Sequence, residues 1–352
     1  MLTVRTDTDS LSHPPSAMTD PFDRLASFHA DALASQRQSQ SQSQSQSQRH
    51  AWAACAHPAD NRYSDILPFV HNVVALADST LINASLITPP FPPPPPPPSS
   101  LPADSKHSLS PSYIATQGPS PASTPHFWQM VLERNISLIL MLTNTIERGR
   151  VKCHQSWPGH ADDLLVTPSL SVTLVSVLEV EGFTVRRFAV TPTTPSPRPE
   201  SLSYSESLPR IVTQIHYTTW PDHGTSPPKD ILALINLVNT TLTFPQQSPL
   251  TQSTPSPPIL VHCSAGVGRT GTFILCHILH TLLTHAPSTP PTLPLISASP
   301  TPCPIQTNDP LILTLHFLRC NRVLMVQTRE QFRSCYQVLE LAFGKEFQSG
   351  LK

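Results

Sequence analysis

The most pointed chemistry in this 352-residue chain lies in one run, Val261-His262-Cys263-Ser264-Ala265-Gly266-Val267-Gly268-Arg269-Thr270-Gly271. Small residues let successive backbone N–H groups turn into a single concavity, and the N-terminus of a following helix adds positive potential, so such a turn suits an anion. Cys263 opens the turn. The field that holds an anion also stabilises a thiolate, and cysteines at helix N-termini or beside cations have pKa values of about 3.5–7.5. Arg269 closes it, and a guanidinium fork holds two phosphoryl oxygens at once. The spacing between them puts a nucleophile beneath a phosphorus held by that fork. Gly266, Gly268 and Gly271 also fit a dinucleotide-binding fingerprint, but that site wants an acidic residue about 20 positions on. No Asp or Glu stands between Gly271 and Asp309. The remaining alternative is a buried structural cysteine in a helix-capping turn.

Two further segments carry usable groups. Trp220-Pro221-Asp222-His223-Gly224 follows a strand pattern. An aspartate on a mobile loop can protonate a leaving oxygen once closure excludes water and raises its pKa. Gln327-Thr328-Arg329-Glu330-Gln331 opens a helix pattern, with Thr328 placed as N-cap. Alone, each of these is also an ordinary turn or helix start.

Taken in order, these segments resemble the phosphotyrosine-specific, non-receptor protein tyrosine phosphatases. His262-Cys-Ser-Ala-Gly-Val-Gly-Arg-Thr-Gly271 is similar to the family's signature, and the likeness runs from about Phe22 to Phe347. It implies Cys263 as nucleophile, with Arg269 and the amides of Ser264, Ala265, Gly266, Val267 and Gly268 holding the phosphoryl group. Asp222 would be general acid and then base, and Gln327 would place the hydrolytic water with help from Gln331. Thr270 would hydrogen-bond the departing sulfur, and His262 would orient the thiolate. Asn61 to Phe69 resembles a substrate-recognition loop. In it Tyr63 stacks on the substrate ring and sets a depth that phosphoserine cannot span, while Asp65 holds the peptide backbone. Glu147 and Lys152 correspond to a supporting loop, and Arg319 and Arg322 brace the phosphate turn. Ile82–Ile87, Tyr113–Pro119 and Phe127–Met130 match as scaffold. Leu81, Ser156, Val70, Val73 and Asp60 depart from the family pattern, which bears on packing and peptide preference.

The elements that must position these groups alternate along the chain. Ser137–Thr143, Ser171–Val180, Phe183–Val190, Ile211–Tyr217 and Pro258–His262 read as strands. Pro21–Ser35, Phe127–Arg134, Lys229–Leu242, Thr270–His285, Asp309–Arg319 and Arg329–Phe343 read as helices. The expected fold class is α+β, a twisted mixed sheet flanked by helices. Of 42 prolines, 26 fall in Pro89–Pro98, Pro192–Pro209, Pro245–Pro258 and Pro287–Pro304. The remainder is close to the ordinary frequency of about 5%. The expected organisation is a disordered tail over 1–20 and one catalytic domain over 21–348. Low-complexity insertions interrupt it near 36–50, 89–111, 191–209, 245–258 and 286–308. The polyproline run could serve an SH3- or WW-type partner.

Net charge is −1 and charged residues make up 13%, so broad attraction to nucleic acid is excluded. Seven cysteines, irregularly spaced and without a Cys-x-x-Cys pair, suggest neither a disulfide framework nor a zinc site. They fit a reducing setting, here the cytoplasm with access to the nucleus. No apolar run is long enough for a membrane span. No cofactor or metal is expected, because arginine and amides supply the positive charge. The expected partners are phosphotyrosine proteins, and reversible oxidation of Cys263 is expected to switch the activity. Two alternatives stay open: a non-catalytic phosphotyrosine-binding module and a dual-specificity phosphatase.

Overall fold

In the computed structural model, strands β1 (Val73–Ala75), β2 (Leu81–Ile87), β3 (Tyr113–Thr116) and β4 (Leu138–Met141) are followed by the hairpin β5 (Ile146–Glu147) and β6 (Arg150–Val151). Next come β7 (Leu164–Val166), β8 (Leu170–Val180), β9 (Phe183–Pro192), β10 (Arg210–Tyr217) and β11 (Ile259–His262). The helices are α1 (Pro21–Gln40), α2 (Thr124–Glu133), α3 (Pro228–Thr243), α4 (Gly268–His285), α5 (Pro310–Asn321) and α6 (Arg329–Phe343). The structure describes residues 20–40, 60–89, 111–161, 163–193, 209–221, 224–243, 257–285 and 303–344. The expected N-terminal tail, the Ser-Gln run beyond Gln40, Pro90–Pro98, nearly all of the other proline-rich insertions and Asp222 with His223 lie outside them.

Nine strands form one mixed sheet in the order β1-β2-β3-β11-β4-β10-β9-β8-β7, and β5 pairs with β6 apart from it. The centre is parallel: β11 lies between β3 and β4, and β4 pairs with β10 in the same sense. A parallel strand at the centre of a sheet is covered on both faces, so it reads as an unbroken apolar run. Strand β11 shows this directly. Ile259 and Val261 enter the core packed by α3, α4, α5 and α6. Leu260 enters the other, packed by α2. Neighbouring β4 divides in the same way, Leu138 and Leu140 to one side and Ile139 and Met141 to the other.

The central strands therefore end together, and β11 delivers Cys263 where its pairing with β3 and β4 stops. Helix α4 begins five residues later. Helix α6 starts at Arg329 through a capping box: Gln331 N donates to Thr328 Oγ1, and Thr328 N donates to Gln331 Oε1. Helix α1 runs five residues past Ser35, through Gln36–Gln40, which were expected to belong to an insertion. Glutamine and serine do not oppose helix strongly, so an anchored amphipathic start carries it on. Phe22 packs on Phe332, with ring centroids 5.4 Å apart, and Asp23 pairs with Arg329.

Candidate active site

The turn between β11 and α4 is built on close backbone approach. Gly266 has φ of 72°, and a Cβ there would lie 2.1 Å from the Thr116 carbonyl oxygen. Only glycine meets both demands. At Gly271 a Cβ would lie 2.4 Å from Val326 N, so the first turn of α4 sits against the segment leading to Gln327. Val326 N donates to Val267 O at 3.2 Å, and Arg319 donates to Met325 O and Val326 O, both at 3.0 Å. Val326 itself holds φ of 55°. Such a conformation costs a β-branched residue on the order of 1–3 kcal/mol and persists where surrounding contacts impose it. This strained link puts Gln327 and Gln331 over the turn. A Cβ at Gly268 would come to 3.1 Å from Gln331 Nε2 and 3.3 Å from Gln327 Oε1. Gln327 is exposed, whereas Gln331 is buried and spends its amide oxygen on the Gln327 and Thr328 N–H groups. Gln331 thus serves first as a cap.

Arg269 is buried and clamped. Its Nη1 donates to Glu147 Oε1 at 2.6 Å and to Leu142 O at 2.9 Å, and its Nη2 donates to Glu147 Oε2 at 2.7 Å. Glu147 is fixed in turn by the Thr143 hydroxyl and the Asn144 N–H. This fixes the plane of the guanidinium at the far end of the turn that Cys263, itself 5% exposed, opens. Arg322, fully buried, holds the turn from outside. It donates to Gly266 O, Ala265 O, Asn83 Oδ1 and Ser85 Oγ at 2.9, 3.0, 2.9 and 3.3 Å. Arg322 braces the turn directly, and Arg319 does so through Met325 and Val326.

Tyr63 stands at the mouth of the turn, its hydroxyl 2.9 Å from Ser264 Oγ, which donates to Lys152 O at 2.7 Å. Ile66, Val267 and Val323 form a small core that packs this loop onto the turn. Asp65 is exposed two residues beyond Tyr63. Lys152 meets the site through its carbonyl. His262 is buried, and burial pushes its pKa down to about 4, so the ring is neutral. Its Nδ1 lies 3.2 Å from Cys263 O, so the contact runs to the backbone of the cysteine. The Thr270 hydroxyl is buried and makes no hydrogen bond among the described residues. On the acid loop, Trp220 is buried with Nε1 donating to Gly224 O at 3.2 Å. Asp222, between them, is outside the described residues.

Sequence reasoning assigned no role to Arg62. Its Nε donates to Gly118 O at 2.7 Å and its backbone N–H to Gln117 Oε1 at 2.9 Å, tying the recognition loop to the end of β3. The signal was one basic residue beside Tyr63, with partners more than fifty positions away. Asn83 was read as scaffold, and it joins Arg322 to Asn61 Oδ1 and Ile66 O.

A family model described as protein-tyrosine phosphatase matches residues 57–340. Human receptor-type tyrosine-protein phosphatase eta is 38% identical over 215 residues, 61% of this chain and 14% of that protein. Mouse tyrosine-protein phosphatase non-receptor type 20 is 32% identical over 280 residues, 79% of this chain and 52% of that protein. Human receptor-type tyrosine-protein phosphatase zeta is 30% identical over 278 residues, 75% of this chain and 10% of that protein. Aligned regions thus span about half or less of each relative. No helix among the described residues is long and apolar enough to cross a membrane. With a family match over most of its length and the cysteine–arginine turn in the expected place, this chain belongs to the protein-tyrosine phosphatase family.

Proposed function

We propose that this chain hydrolyses phosphotyrosine in proteins through a phosphocysteine intermediate. The observation that carries this reading is the Glu147–Arg269 clamp at the end of the glycine-shaped turn that Cys263 opens. Such a site supplies positioning and charge stabilisation, which is most of what phosphoryl transfer needs. The Cys263 thiolate attacks phosphorus in line; the S–P bond forms as the bond to the tyrosyl oxygen breaks. Arg269 and the turn amides hold the equatorial oxygens, and Asp222 gives its proton to the leaving oxygen. Asp222 then takes a proton from a water held by Gln327. That water attacks phosphorus, the S–P bond breaks, and phosphate leaves with the thiolate restored. The Thr270 hydroxyl, buried in the first turn of α4, is a donor suited to the departing sulfur. Tyr63, held against Ser264, favours a deep pocket and hence phosphotyrosine over phosphoserine. The free thiols at Cys153, Cys263, Cys276, Cys303, Cys320 and Cys335 support a reducing, cytoplasmic setting.

The test is hydrolysis of paired phosphotyrosine and phosphoserine peptides by the parent and by Cys263→Ser, with and without chelator. Turnover of the phosphotyrosine peptide alone, abolished by the substitution and indifferent to chelator, is expected. Activity surviving in Cys263→Ser would sink the mechanism.

A further inference from the structure

Away from the phosphate turn, α1 and α5 bring together His29, His316 and Cys320. We propose that these three side chains form a metal site for a zinc-class divalent cation, joining α1 to α5.

Geometry carries the assignment. His316 and Cys320 are four residues apart on α5 and so share one face. His29 reaches them from α1. His29 Nε2 lies 3.2 Å from His316 Nδ1, and Cys320 Sγ lies 3.6 Å from His316 Nε2 and 4.0 Å from its Nδ1. One ligand atom from each residue falls within 4.8 Å of the others. Zinc bonds of 2.0–2.1 Å to nitrogen and 2.3 Å to sulfur give tetrahedral edges of about 3.3 Å between nitrogens and about 3.6 Å from nitrogen to sulfur. With His316 Nδ1 as the ligand, the edge to His29 Nε2 is already met, and Cys320 Sγ, at 4.0 Å from that nitrogen, has to move inward by less than about 1 Å.

The surroundings select the kind of metal. His316 and Cys320 are buried and His29 is partly buried, so the α1 side is the more open side of the group. Phe28 meets the His29 ring edge-on, with centroids 5.3 Å apart, and the His316 ring at a tilt, with centroids 6.2 Å apart. Arg319 is also close. Its guanidinium lies over the Phe22 ring and donates to Met325 O and Val326 O. A hard cation such as Mg²⁺ wants several oxygen ligands and has none in this set. Zn²⁺ bonds imidazole and thiolate strongly, and deprotonation of Cys320 on binding supplies a negative charge against Arg319. Three protein ligands leave a fourth position for water.

The test uses the full chain carrying Cys263→Ser, so that the catalytic thiol does not compete. Zn²⁺ is titrated calorimetrically, and Co²⁺ replaces it for absorption spectroscopy. One equivalent should bind, with tetrahedral cobalt bands and a thiolate-to-cobalt charge-transfer band. Adding His29→Gln should weaken binding by at least about tenfold, and adding Cys320→Ser should abolish the charge-transfer band. His29 is less buried than Cys320, so its variant keeps the test decisive if Cys320→Ser fails to fold. Failure to bind, a stoichiometry and affinity unchanged in His29→Gln, or a cobalt spectrum without thiolate character would overturn the site.

Discussion

Two buried arginines organise the phosphate turn, and they are held in contrasting ways. Arg269, within the turn, is gripped through two nitrogens by the Glu147 carboxylate. Arg322, outside it, hands its N–H groups to the neutral oxygens of Gly266, Ala265, Asn83 and Ser85. A carboxylate fixes the plane of a guanidinium that, in the proposed reaction, meets another anion. Neutral oxygens make no such preparation. They let Arg322 stitch together three segments that the sequence keeps far apart. One arginine is thus held as the proposed chemistry would need it, and the other ties the structure together.

Arg269→Lys tests the first half of that contrast most strongly. A lysine keeps the charge and can still reach Glu147, but it loses the fork. Turnover of a phosphotyrosine peptide should fall about 10³-fold, about 4 kcal/mol of transition-state stabilisation, with the melting temperature nearly unchanged. A loss below tenfold would remove Arg269 from the chemistry.

Acid is next. Both arginines stay charged at any working pH, whereas His262, at the strand end beneath the turn, does not stay neutral. Its pKa is about 4 in the folded protein and 6.5 unperturbed. The unfolded chain therefore takes up the proton first. The stability given by the neutral ring is full above about 6.5 and is lost as pH falls toward 4, by about 3 kcal/mol at most. His216 and His277 are lowered by burial as well and add in the same direction. Urea midpoints should drop between pH 7 and pH 4.5, and less steeply in His262→Asn. Equal slopes would show that other groups carry the effect.

Arg322→Met probes the second half. Gly266 O, Ala265 O, Asn83 Oδ1 and Ser85 Oγ each lose a donor, at about 1 kcal/mol apiece, so stability should fall by about 4 kcal/mol in urea titration. Arg269→Lys should fold normally and turn over poorly; Arg322→Met should fold poorly first. Unfolding midpoints within error of the parent would show that the stitching is replaceable.

The unequal legibility of these parts has physical causes. Helix α6 was bounded correctly at Arg329 and Phe343, because Thr328 and Gln331 announce a capping box in four consecutive residues. The strands at 183–192 and 210–217 were found because β-branched residues cluster there, and the one at 138–141 because it is a short, wholly apolar run. Strands β1, β5, β6 and β7 were not read as strands, for two or three residues carry no period, and β2 and β3 were matched as scaffold without being read as strands. The cysteine and arginine of the turn were legible because their chemistry is local. The Glu147–Arg269 pair spans 122 positions, Arg322 to Asn83 spans 239, and His29 to His316 spans 287. No short pattern announces contacts at that range. Resemblance placed Glu147 and Arg322 beside the site without saying what either one grips.

Glu147→Gln asks the subtlest question of the contrast, whether the clamp acts through orientation or through charge. The amide keeps the shape but offers one oxygen to a guanidinium that now receives two, so one hydrogen bond becomes a donor facing a donor. If orientation is what the carboxylate supplies, turnover falls about tenfold, about 1.4 kcal/mol. Removing a negative charge also leaves Arg269 less neutralised, so the dianionic ground state should bind no worse, and KM should hold or drop slightly. That split separates the two roles, because loss of a merely structural contact would raise KM or lower the melting temperature without lowering kcat selectively. Steady-state kinetics on one phosphotyrosine peptide, run beside a melting curve, reads both. An unchanged kcat would mean that Glu147 anchors the β5–β6 hairpin and does nothing more for Arg269 than the neutral oxygens do for Arg322.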